Sequence, residues 1–107
     1  MRKMPAEATW RARKWQSIFH MRDAEHDTLV ICFADHLSNL RELYLDHELI
    51  GDALWERFNQ KDKRMHEWYY REIYKILAAE EELRWTNEMY EFEGALDFVF
   101  DKTSWPK

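Results

Sequence analysis

The chain has 107 residues, of which 46% are hydrophobic and 35% charged, with a net charge of −5. That composition suits one globular domain and excludes a disordered polyelectrolyte. Two glycines and two prolines are too few for the tight turns of a strand-rich fold, so the expected class is all-α, a compact bundle of four to five helices over residues 1–107, with 101–107 as a tail.

The longest apolar run, Leu29 to Ala34, is too short to span a bilayer. The start, through Trp15, lacks the apolar stretch of a secretory signal and is read as part of the fold. Cys32 is the one cysteine, so no internal disulfide forms, and a cytoplasmic location is expected.

In chain order, the first helix is expected from Ala6 to about Arg22. Pro5 suits a first turn, and Ala8, Ala12, Trp15, Ile18 and Phe19 share a face, with Trp10 and Met21 to its side. Residues 1–22 carry six basic side chains against one acid, while the remainder is strongly acidic. Asp27 or Thr28 can cap a second helix whose seam is Val30, Phe33, Leu37, Leu40 and Tyr44, ending near His47. Gly51 makes the link. A short third helix follows, with Asp52 as its cap and Leu54, Trp55 and Phe58 as its apolar side chains.

Asp62 can cap a fourth helix, expected to reach Leu83. Its acidic run Glu80–Glu82 is then badly placed, because the negative end of a helix dipole disfavours acids. On a wheel of about 100° per residue, Met65, Tyr69, Tyr70, Ile73, Ile76 and Leu77 share one core face. Trp68 and Tyr74 fall beyond its opposite edges. The last segment, 87–100, fits a helical seam through Met89, Phe92, Leu96 and Val99. It also alternates like a β-hairpin, through Tyr90, Phe92, Leu96, Phe98 and Phe100. The helix is favoured because a lone hairpin is marginal. Trp105 can dock the tail.

No motif names a reaction. Asp35-His36 and Asp46-His47 lie eleven residues apart on one helix, roughly 16 Å at 1.5 Å per residue, too far to share a metal. Cys32 reads as a small core residue with a protonated thiol. Ser17 and Ser38 lie in no nucleophile elbow, and the two glycines build no phosphate loop. The expected protein is therefore no enzyme and uses no metal or cofactor, and no membrane or small-molecule substrate is evident.

Six tryptophans are many for so short a chain, and large rings serve cores and interfaces alike. The leading reading is a small, acidic interaction module that binds a protein partner or a second copy of itself, in the manner of a phage- or plasmid-borne inhibitor or adaptor. Trp68, Tyr74, Trp10 and Trp55 would be its anchors. The alternative is a nucleic-acid-associated regulator that uses Arg11, Arg13 and Lys14 on the basic first helix.

Overall fold

The computed structural model describes residues 6–100, with side chains from Thr9 onward. Along the chain come α1 (Ala6–Arg22), α2 (His26–Ile50), a 3₁₀ segment (Gly51–Arg57), α3 (Lys63–Ala78), α4 (Glu81–Arg84) and α5 (Asn87–Phe100). The expected all-α bundle is what forms, and no strand occurs among the described residues. Pro5, the Ala8 side chain and the tail 101–107 with Trp105 lie outside the described residues.

The hairpin alternative for 87–100 gives way to α5 because Met89, Phe92, Ala95, Leu96, Val99 and Phe100 bury together. Those positions recur at three- and four-residue intervals, the period of one helix face. Four of them, Phe92, Leu96, Val99 and Phe100, are fully enclosed. Each contributes about 1.5–3 kcal/mol by leaving water.

Helix boundaries follow local chemistry. Asp62 caps α3, its carboxylate accepting the Arg64 backbone N–H at 2.9 Å. Gly51 ends α2 with φ at +61°, a conformation that side chains resist. Asp52 acts inside the 3₁₀ segment rather than as its cap, accepting the Trp55 indole N–H at 3.2 Å.

The fourth expected helix does not reach Leu83. It stops at Ala78, and the chain bends through Ala79 and Glu80 before α4 starts at Glu81. The bend resolves the misplaced acids: Glu81 and Glu82 now occupy a first turn, where the dipole favours them. Arg84 reaches back and donates to the Ala78 and Ala79 carbonyls at 2.8 and 3.4 Å. His26 bridges Glu80 and Glu82 at 3.1 and 2.9 Å, pinning the bend to the start of α2.

Two seams are rotated from their expected register. On α2 the buried line is Leu29, Phe33, Leu37, Leu40 and Leu43, with Val30 exposed and Tyr44 half-buried. On α1 Trp10, Ile18 and Met21 are buried, whereas Ala12 and Phe19 are exposed. The wheel marks an apolar arc, but which part of it meets a neighbour depends on the packing partner. Here α3 is the central helix, packed against α5 on one flank and α1 on the other.

Candidate interaction surface

The central position of α3 decides the fate of the four aromatics singled out as anchors. Trp10 and Trp55 belong to the core, at 9% and 3% exposure. Trp55 stacks on His66 and Phe100, with ring centroids 4.9 and 5.4 Å away. Trp10 meets His66 and Tyr69 edge to face, at 5.3 and 6.5 Å. Trp55 is enclosed, whereas Trp10 keeps a margin of its ring at a pocket between α1, α2 and α3.

Trp68 and Tyr74 are half-buried, each covered from within the chain. Trp15 of α1 meets Trp68 edge to face at 5.1 Å, and the Arg11 guanidinium lies 5.7 Å from the Trp68 ring. Tyr74 stacks on Phe92 of α5 at 6.2 Å and donates its hydroxyl to Glu93 at 3.2 Å. Burial and the Glu93 carboxylate together raise the Tyr74 ionisation, so the phenol stays a donor. The flanks of α3 are thus occupied by α1 and α5.

The three cations of the basic helix do not form one free patch. Arg11 rests on Trp68 and Arg13 is exposed. Lys14 is half-buried, its ammonium 4.5 Å from the centre of the Tyr69 ring and 5.5 Å from that of Trp10. Burial, and to a lesser degree Arg13, hold its pKa below the usual lysine value. The charges of α1 are therefore directed mostly at rings, although Arg22 also reaches Glu72 at 4.0 Å.

The histidine doublets separate in space. His36 donates from Nδ1 to the Cys32 carbonyl at 2.8 Å, which leaves Nε2 to accept the Tyr69 hydroxyl at 2.9 Å. His47 instead lies against the Phe98 ring and near Asp52. Cys32 is half-buried rather than enclosed in the seam.

An open apolar groove lies between α2 and α5. It measures about 650 Å³ and is lined by Tyr44, Leu45, Gly94, Ala95 and Phe98. Arg41 and Glu91 close one edge with a two-pronged ion pair, at 2.5 and 2.7 Å. That pairing holds the Glu91 carboxyl below its usual range. Leu45 and Leu49 beside the groove are 60% and 81% exposed.

Gly94 lies in the interior of α5, where glycine costs about 1 kcal/mol relative to alanine. A Cβ there would meet nothing within 4 Å. Among the described residues no close approach accounts for this glycine.

None of these groove residues was among the expected anchors. The sequence did hold a signal for them. Phe98 and Phe100 are two residues apart, so on one helix they cannot both face the core, and Leu45 and Leu49 lie off the α2 seam at a four-residue interval.

The chain matches no family model, no curated protein and no solved structure.

Proposed function

We propose that the chain is a small non-catalytic interaction module whose docking surface is the α2–α5 groove, and whose occupant is a second copy of the same chain. The observation that carries this reading is an open apolar groove floored by a mid-helix glycine that no close approach among the described residues explains. A helix interior that gives up side-chain bulk at an exposed position lets another backbone come close.

A two-fold interface brings one patch against itself, so the patch must contain its own complement. This one does. Leu45 and Phe98 project beside the hollow at Gly94 and Ala95. Arg41 and Glu91 put both signs of charge on the same edge, so a second copy turned about a two-fold axis sets each cation towards the other's anion. Trp68 and Tyr74, covered by α1 and α5, are structural in this reading. Among the described residues no helix is long and apolar enough to cross a membrane, and the reading places the module in the cytoplasm.

Sedimentation of the purified chain at micromolar concentration tests the proposal. A dimer is expected, and Leu45→Asp should give a monomer with an unchanged helical circular-dichroism spectrum. A wild type that sediments as a monomer throughout the concentration range sinks the reading. Retention of bound DNA or RNA that is lost on changing Arg11, Arg13 and Lys14 to Glu would favour the basic-helix alternative instead.

A further inference from the structure

A second concave site opens on the other flank of α2. Its volume is about 340 Å³, and it lies where α1, α2 and α3 converge. Trp10, His66, Tyr69 and Tyr70 give it an aromatic wall, Lys14 enters from α1 and Glu42 from α2. The groove uses Arg41, Tyr44 and Leu45 of α2, whereas this pocket uses Asn39, Glu42, Leu43 and Asp46. The two sites therefore do not overlap.

The charges around the pocket are unusual in how they are left. Asp46 and Arg57 neutralise each other. Lys14 has aromatic faces beside it but, among the described residues, no carboxylate within ion-pair distance. Glu42 likewise has no described cation paired with it. One ammonium seated on rings and one exposed carboxylate thus face a shared hollow, neither with an ionic partner among the described residues. The rings that line the same hollow are already ordered by the fold: His66 donates from Nε2 to the Gln60 carbonyl at 2.7 Å, and Tyr69 and Tyr70 meet edge to face at 5.7 Å.

We propose that this pocket binds a free aromatic α-amino acid, with its carboxylate on Lys14, its ammonium on Glu42 and its ring against Tyr70, His66 and Trp10.

Each part of the ligand follows from a part of the pocket. A simple anion would leave Glu42 unmatched, and a multiply charged phosphate would meet Glu42 as repulsion. A simple cation would meet Lys14. A zwitterion satisfies both, and the paired rim adds no net field against it. Ligand pockets run from about 300 to about 1,000 Å³, so this site admits a single small metabolite and not a nucleotide or a folded peptide. The aromatic wall favours an aromatic ring, which gains from edge-to-face and offset contacts beyond its area.

Lys14 is already partly stripped of water, which is why its pKa is depressed. An arriving carboxylate gives back the charge partner that burial removed. Tyr70 is strongly raised by burial, so its hydroxyl remains a protonated donor at the pocket wall.

The test uses the full chain and three probes, L-phenylalanine, L-tyrosine and L-tryptophan, followed by backbone NMR shifts at Trp10, Lys14, Glu42 and Tyr70. At least one probe should produce saturable shifts at these positions. Phenylpropionate, which lacks the ammonium, and phenethylamine, which lacks the carboxylate, should each bind at least about tenfold more weakly than phenylalanine. Lys14→Met and Glu42→Gln, both conservative in shape, should weaken the best probe by a similar factor while keeping the wild-type spectrum elsewhere. No saturable shift with any of the three, equal binding of the truncated analogues, or unchanged affinity in Lys14→Met would each overturn the proposal. The dimer reading is untouched by any of these results, because its readout is mass.

Discussion

Arg11, Trp15 and Trp68 make a small stack on the outside of α3, with the two indoles edge to face and the guanidinium over the outer ring. Such contacts are worth about 0.5–1.5 kcal/mol for the aromatic pair and about 0.5–1 kcal/mol for an exposed cation over a ring. They stabilise the fold. Glu67 shows the same economy on the opposite flank. At 1% exposure it is held by Arg64 at 3.0 Å and Arg71 at 3.5 Å, and Arg71 also reaches Asp97 of α5 at 3.3 Å. A buried carboxylate needs such partners to stay in the interior. Contacts within the chain account for Trp10, Trp55, Trp68 and Tyr74, whereas Trp85, Tyr90, Phe19 and Phe98 remain exposed. Trp55→Ala should cost about 3–5 kcal/mol and Trp68→Ala about 1–2 kcal/mol, the latter less because its ring is partly in water. Urea unfolding followed by circular dichroism measures both. Neither change should alter the mass in solution, whereas the anchor reading of Trp68 requires that it does.

At the scale of the element, two helices carry features that their own packing does not require or permit. The acids at 80–82 could not end a long α3, so the chain turned and spent them at the start of α4, with Arg84 satisfying the carbonyls left behind. In α5 the misfit has no such intrachain answer. Gly94 weakens the helix where a methyl group would meet nothing. Gly94→Ala should therefore stabilise the separated chain by about 0.5–1 kcal/mol, through a better helix propensity and a less entropic unfolded state. If the groove is where two copies meet, the same change should weaken their association, because the added methyl fills the hollow. Thermal unfolding at low concentration and sedimentation at higher concentration read the two effects separately. A variant that is more stable and dimerises as well as the wild type would remove Gly94 from the interface.

For the whole molecule, the polar groups that cross between helices tie stability to pH. His66 is buried between Trp10, Trp55 and Phe58, and that burial holds its pKa below the ordinary histidine value of 6.5. The Gln60 carbonyl and Asp62 pull the other way, and nearby Lys14 adds to the lowering. The unfolded chain then binds a proton at a pH where the folded chain does not. Stability from this group is complete above about 6.5 and is lost as pH falls below it, levelling off once the folded ring is also protonated. Urea midpoints taken between about pH 7.5 and about pH 5 should fall for the wild type. They should fall less for His66→Phe, which keeps a ring in place and removes the titration. Equal slopes would mean that other groups set the dependence.

The sequence by itself determined the all-α class, the Asp62 cap and the Gly51 link, and left 87–100 open between a favoured helix and a hairpin. The three it determined rest on interactions within a few residues: helix periodicity, a side-chain oxygen near a free N–H, and a backbone angle that only glycine adopts readily. It also marked Trp68 and Tyr74 as residues that needed cover. What covers them was decided by the tertiary structure, because the wheel of one helix records how wide its apolar arc is and not how many neighbours stand round it. With α3 at the centre, α1 and α5 took up those rings. The same arrangement left Leu45, Gly94 and Phe98 outside, and brought Lys14 and Glu42 to one pocket from positions 28 residues apart in the chain. Contacts over such separations depend on how helices cross, which no local pattern encodes.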